Sequence, residues 1–422
     1  MHKIERLLHT LAPKGVEFKT LEEVFEIKNG YTPSKNNPEF WKNGTIPWFR
    51  MEDIRENGRI LKDSIQHITP KALKGKKLFP KNSIIISTTA TIGEHALLIV
   101  DSLANQRFTF LSKKANCDLA LDMKFFFYQC FLLGEWCKNN TNVSGFASVD
   151  MSAFKKYKFP IPPLEIQQEI VKILDAFTEL NTELNTELKA RKKQYQYYQN
   201  MLLDFDGINQ SHKDAKIKTY PKRLKTLLQT LAPNGVEFRR IGEICLIKRG
   251  RVIAKKILQE NGKYPVYSSQ TLNNGILGFI DTYDFDGEFL TWTTDGAYAG
   301  SVFYRKGRFS ITNVCGLLQV IQDNILHKYL YYILQITTPP HVSSGMGNPK
   351  LMSAAMQQIQ IPIPPLEIQQ EIVKILDQFS ILTTDLLAGI PAEIKARKKQ
   401  YEYYREKLLT FKPLTPHKEV KK

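Results

Sequence analysis

The chain has 422 residues, enough for two or three domains, and its 42% hydrophobic content gives each of them a buried core. The 59 Lys and Arg against 42 Asp and Glu leave a formal charge of +17, which favours a polyanionic partner, whether nucleic acid, membrane surface or acidic protein. Five cysteines without a C-x-x-C exclude a disulfide framework or Cys-based zinc site, and no stretch approaches the roughly 20 apolar residues that span a bilayer. The opening MHKIERLLHTLAPKG has no apolar signal core, so the expectation is a soluble cytoplasmic protein without a membrane partner.

In chain order, a first module (1–157) reads as mixed α/β. Strands are expected at 83–87, 96–100 and 108–111 and a helix at 119–137. A helical region at 158–205 follows, then a linker at 206–225. A second module (226–358) has expected strands at 287–292, 300–304 and 316–321 and a helix at 326–336, with turns at Asn273-Asn274-Gly275 and Asp286-Gly287. A second helical region (359–411) and a basic tail (412–422) complete the chain.

The organisation is written twice. PIPPLEIQQEIVKILD occurs at 160–175 and again at 362–377, and KARKKQYQYY at 189–198 returns as KARKKQYEYY at 395–404. LAP and GVEF open both modules, at 11–18 and 231–238. The modules themselves share only scattered features, among them Ile92-Gly93 against Ala299-Gly300 and Asn105 against Asn313. Near-identical helices suggest one job done twice; divergent modules suggest two related jobs with different targets.

Pro162-Pro163 can begin a helix because the first helical N–H groups need no intrahelical partner. Apolar residues then fall at Ile166, Ile170, Ile173, Phe177, Leu180 and Leu184, a heptad seam, and the stripe resumes through Leu188, Arg191, Tyr195, Tyr198 and Leu202. The second copy runs Ile368, Ile372, Ile375, Phe379, Leu382, Leu386, Ile390, Ile394, Arg397, Tyr401, Tyr404 and Leu408, with a break expected at Gly389 and Pro391. One apolar stripe on so long a helix needs a partner. The other copy is the natural one, paired antiparallel with the modules at opposite ends; the alternative is that each helix packs on its own module. The first helix carries the tandem TELNTELNTEL at 178–188, a four-residue unit that advances a helix by about 6 Å.

Basic and polar side chains are expected to gather in the loops of the modules. The first offers Lys35, Arg50, Arg55, Arg59, Lys74, Lys76, Lys77 and the run Asn105-Gln106-Arg107. The second offers Lys248, Arg249, Arg251, Lys255, Lys256, Thr294, Arg305, Lys306, Arg308 and Asn313. Arg and Lys hold phosphates or guanine edges and Asn and Gln suit adenine, although any one of these is also an ordinary solvated side chain, and Asn105 also suits a turn cap. No phosphate-binding G-x-x-x-x-G-K-[ST], no Asn-Pro-Pro-Tyr or Asp-Pro-Pro-Tyr, no H-x-x-x-H and no nucleophile motif occurs, so no catalytic residue and no metal site is expected. Asp284, Asp286 and Glu288 crowd together, but their neighbours Phe285, Gly287 and Phe289 favour a hairpin turn over a metal site.

With its paired PIPPLEIQQEIVKILD and KARKKQYxYY blocks, the TELN repeat, and GYTPS (30–34), Ile46-Pro47-Trp48, Tyr264-Pro265-Val266-Tyr267 and TWTTDGAYAG (291–300), the chain resembles the specificity subunits of bacterial type I restriction-modification enzymes. The resemblance implies an α+β fold with two mixed α/β target-recognition domains separated by two long antiparallel coiled-coil helices. It also implies that each domain reads one half of a split double-stranded DNA site. The helices would dock two methyltransferase subunits, which hold S-adenosylmethionine, and restriction subunits would join; this chain itself would bind no cofactor. A self-contained nuclease or methyltransferase, a type II specificity chain and a scaffold whose heads bind protein remain open on the residues alone.

Overall fold

The computed structural model describes residues 2–75, 77–142, 147–205, 220–343, 347–384 and 389–414. They divide into two compact units: Met1–Glu183 with Lys395–Lys422, and Leu184–Ile394. The unit boundaries therefore fall within the helical regions.

In the first unit the strands Glu17–Thr20 and Lys158–Ile161 pair antiparallel and close the module at its base. Between them lies a five-stranded sheet in the order Phe25–Asn29, Phe108–Lys113, Ser83–Ser87, His95–Leu98, Ile60–Leu61. A helix, Met123–Asn139, packs its Phe125, Phe126, Cys130 and Leu133 against this sheet's core. Asp122 starts it by accepting hydrogen bonds from the backbone N–H groups of Lys124 and Phe125. The second unit repeats the plan: Glu237–Arg240 pairs with Gln360–Ile363. Its six-stranded sheet runs Cys245–Arg249, Cys315–Val320, Phe285–Thr293, Val302–Ile311, Tyr264–Tyr267, Ile276–Ile280, followed by the helix His327–Thr337.

The first long helix is continuous over Leu164–Leu203. The second is interrupted, as Leu366–Thr384 and Gly389–Leu409. At Gly389 the backbone is left-handed (φ 75°), and a Cβ there would lie 2.5 Å from the carbonyl oxygen of Ile381. Leu386 lies outside the described residues.

The helix seam divides its work. Ile166 and Ile170 are fully buried with Phe125 and Phe159 of the module and with Leu408 of the last helix, and Ile173 packs against the same cluster. Each such burial is worth about 1.5–3 kcal/mol. This stretch is thus module core as well as helix partner, because the helix leaves directly from a strand of the module. Ile368 and Ile372, fully buried, and Ile375 do the same in the second unit, with Leu202 and Leu203. Farther along, rings take over. Phe177 meets Tyr401 and Tyr404 in the first unit, and Phe379 meets Tyr195 and Tyr198 in the second, so the two helices run antiparallel in both. Leu180 and Leu382 are half-buried, and Leu184, Ile390 and Ile394 are buried.

One buried amide locks each helix to its module. The side chain of Gln167 accepts from the Asp122 N–H and donates to the carbonyls of Ala120 and Pro162; that of Gln369 accepts from Leu326 and donates to Asn324 and Pro364. Tyr128 and Lys124 both donate to Asp175, and Tyr332 and Lys328 to Asp377.

The ends are exchanged between the repeats. The helix His2–Leu11 contributes Ile4 to a cluster holding Leu408 and Leu409, Val16 bridges Pro413, and Gln129 donates to the Leu409 carbonyl at 3.0 Å. In the second unit the helix Lys222–Leu231 brings Leu224 and Leu228 to Leu202 and Leu203. The close of the second long helix serves the first unit as the close of the first serves the second. Among the described residues no helix is long and apolar enough to cross a membrane.

Two details differ from the sequence expectations. Asp286 and Gly287 lie in the strand Phe285–Thr293, not in a turn, because Gly287 pairs with Gly307 and both tolerate positive φ. The three acids there are engaged: Asp284 pairs with Arg251, Asp286 with Arg308, and Glu288 accepts from Tyr304. Arg305 is not a loop cation. It is buried on a strand, its guanidinium 3.6 Å from the Tyr267 ring centre, and burial lowers its pKa.

Candidate nucleic-acid interface

At one edge of each sheet two connections cross at contact distance. In the first unit a Cβ on Gly30 would lie 2.3 Å from the Asn105 carbonyl oxygen; in the second a Cβ on Gly250 would lie 2.2 Å from that of Ile311. Glycine is required at both crossings, since any side chain would collide with backbone.

The crossing in the first unit brings distant residues together. Lys35, Arg50, Asn105, Gln106 and Arg107 line one cavity of about 300 Å³, with Trp48 as a wall. Sequence reading did not single out Thr32, which lies in GYTPS, nor Glu52 and Thr91, which no local pattern marks; all three also line it. Among the described residues, four cations (with Arg55) against one anion, Glu52, make this a site for negative or acceptor-rich groups. Its framework is held by short-range bonds. The Asn105 side chain accepts from the Arg107 N–H at 3.0 Å, the turn-capping role that was the alternative reading of this residue. Thr32 donates to the Gln106 side chain, and the Trp48 indole donates to the Tyr31 carbonyl at 2.9 Å. Gln106, Arg107 and Lys35 are exposed. Lys77 is exposed and does not line the cavity; Lys76 lies outside the described residues. Arg59 pairs with Glu94, and the ammonium of Lys74 lies over Phe40.

In the second unit Arg249, Thr294 and Asn313 converge. Arg249 donates to the Asn313 carbonyl at 2.5 Å and to the buried Thr294 hydroxyl at 3.4 Å. Arg251 is paired with Asp284, Lys248 donates to Gln319, and Lys255 and Lys256 are exposed on the short turn Lys255–Ile257. The backbone register corrects the matching of Asn105 with Asn313. Phe108 N–H bonds to the Asn105 carbonyl as Cys315 N–H bonds to that of Thr312, so Thr312 is the counterpart of Asn105 and Asn313 that of Gln106. The same register sets Asn29, which accepts from Thr109, at the place of Arg249. All five cysteines are free and four are buried.

The family model for the type I restriction modification DNA specificity domain matches residues 13–192 and again 233–396. The chain is 42% identical over 386 residues to the type I restriction enzyme EcoprrI specificity subunit of Escherichia coli, covering 88% of this chain and 89% of that one. Its fold is similar to the crystal structure of a type I restriction-modification S subunit from M. genitalium (TM-score 0.56, 18% identity, 93% and 95% of the two chains). It is equally similar to a chain solved in work on complex assembly and conformational transition of the type I R-M system (TM-score 0.56, 19% identity, 94% and 96%). With the DNA specificity domain present twice and the likeness spanning most of its length, the chain belongs to the type I restriction-modification specificity subunit family.

Proposed function

We propose that this chain is the sequence-reading subunit of a type I restriction-modification enzyme. It recognises a split, asymmetric DNA site, one half per unit, through the major groove. It docks two adenine-methyltransferase subunits, which supply the S-adenosylmethionine chemistry, and restriction subunits join that assembly. The chain contributes recognition and no catalytic residue.

The observation that carries this reading is the repetition of one backbone framework with unlike side chains at its edge. Asn29 and Arg249 end corresponding strands, and Asn105 and Thr312 hold corresponding turns. A scaffold for two copies of one ligand would keep those positions alike. The helices, by contrast, repeat PIPPLEIQQEIVKILD letter for letter, as expected where two copies of one partner dock. The charge of +17 suits a phosphate backbone.

Single-molecule methylation sequencing of cells with and without the chain tests it. The expected result is adenine methylation at one two-part sequence with an unread spacer, present only with the chain. Methylation of a continuous palindrome, or a pattern unchanged by its removal, overturns the proposal.

A further inference from the structure

A short strand in each unit runs parallel to its neighbour and fixes which residues correspond. Phe49 pairs with Ala104, and its carbonyl accepts from the Asn105 N–H at 3.0 Å. Tyr267 pairs with Ile311, and its carbonyl accepts from the Thr312 N–H at 2.9 Å. The crossings at Gly30 and Gly250 give the same alignment. The next residue is Arg50 in the first unit and Ser268 in the second. One backbone position thus carries a guanidinium in one repeat and a hydroxyl in the other.

Their surroundings differ in what is left for a ligand. The Arg50 backbone is pinned: buried Asp53 accepts from the N–H groups of Arg50 and Ile65, both at 2.6 Å. Its side chain, 29% exposed, lines the cavity with the guanidinium carbon 5.9 Å from the Trp48 ring centre. Its Nε is buried and has no hydrogen-bond partner among the described residues; Glu52 makes only a long ion pair with it, at 3.9 Å, beyond hydrogen-bond range. A buried donor without an acceptor is costly, and a ligand that brings acceptors removes that cost. Ser268, by contrast, already accepts from the Thr312 hydroxyl at 3.0 Å. Arg305, beneath Tyr267, donates to Thr291 in the core; its Nη1 also lacks a hydrogen-bond partner among the described residues, but the residue is only 2% exposed and so is closed to a ligand in a way that Arg50 is not.

An arginine fork matches the O6 and N7 acceptors of guanine in the major groove, whereas a serine hydroxyl fits several bases. We infer that position 50/268 determines specificity: Arg50 reads a guanine in the half-site bound by the first unit, and Ser268 imposes no such preference in the other. The inference rests on the DNA-reading role proposed above. A phosphate would satisfy the same donors without reading sequence, and the test separates the two.

The full-length chain, assembled with adenine-methyltransferase subunits, is offered duplexes randomised over both half-sites, and bound molecules are sequenced. For Arg50→Ser, discrimination at a single G·C pair of one half-site should fall by roughly ten- to a hundredfold, with the other half-site unchanged. Arg50→Lys, which keeps the charge but not the fork, should not restore it. A loss spread evenly over all sequences that Arg50→Lys repairs would identify a phosphate contact and overturn the inference, as would an unchanged preference. If Arg50→Ser does not fold, Arg50→Lys alone decides between these outcomes. Failure of the wild-type assembly to select any split site overturns the DNA-reading proposal as well; a split site insensitive to residue 50 overturns only this inference.

Discussion

Tyr198 lies stacked on Phe379, ring centres 5.1 Å apart and planes 26° apart, and Phe177 meets Tyr404 with nearly the same geometry at 5.6 Å and 27°. Each pair joins one long helix to the other within its own unit. The rings are half-buried, so their removal should cost less than loss of a core phenylalanine. Phe177→Ala and Phe379→Ala are each expected to lower stability by about 2 kcal/mol, with Leu at either position recovering part of the loss. Urea denaturation measures this; midpoints that do not move would mean the stacks carry no stability.

Gln167 and Gln369 are fully buried, and each makes three hydrogen bonds to backbone. Gln167→Leu strands the Asp122 N–H and two carbonyls. The expected cost is about 2–4 kcal/mol, with a similar value for Gln369→Leu. The neighbouring exposed Gln168 serves as control, and its substitution by Leu should stay within about 0.5 kcal/mol. Equal, small effects at Gln167 and Gln168 would contradict the lock.

His95 gives the first unit a pH dependence. It is buried against Phe127 and Phe131 with Arg59 and Arg405 nearby, and desolvation, reinforced by those two cations, lowers its pKa to about 3. The folded protein holds this imidazole neutral, while the unfolded chain takes up a proton below about pH 6.5. The unfolded state then binds more protons, so stability falls as pH drops from about 6.5 towards 3 and is insensitive to this group above that range. The slope contributed is at most about 1.4 kcal/mol per pH unit. His95→Gln should remove it, so the stability gap between wild type and variant should shift by that slope between pH 6 and 4. Parallel pH profiles for the two proteins would rule this out.

Deleting one Thr-Glu-Leu-Asn unit from 178–188 removes about 6 Å of helix. The expected outcome in methylation sequencing is a spacer altered by one or two base pairs with both half-sites retained. Altered half-sites with the original spacer would show that the repeat does not set the distance.

Much of this architecture was legible because repetition and periodicity are properties of sequence. The sixteen identical letters at 160–175 and 362–377 mark the helix starts, and the seam through Phe177 and Phe379 names the rings that meet across the pair. The gathering at one cavity of Lys35, Arg50 and Asn105–Arg107 was not legible, because a glycine crossing brings them together and glycine carries no label for what it touches. The correspondence of Asn105 with Thr312 depends on backbone register, which like letters in unlike modules conceal by one residue. Arg305 looked like a surface cation because charge suggests water; Tyr267 and Thr291 supply a dry alternative.

Ile4 shares a core with Leu408 and Leu409, Val16 bridges Pro413, and Gln129 donates to Leu409. Synthesis proceeds from the N-terminus, and domains generally fold in that order as they emerge from the ribosome. Here the earlier half cannot complete its core until the final helix has been translated. A nascent chain stalled before residue 395 would have the unit 184–394 nearly whole and the unit begun earlier still open, so the earlier segment is completed after the later one.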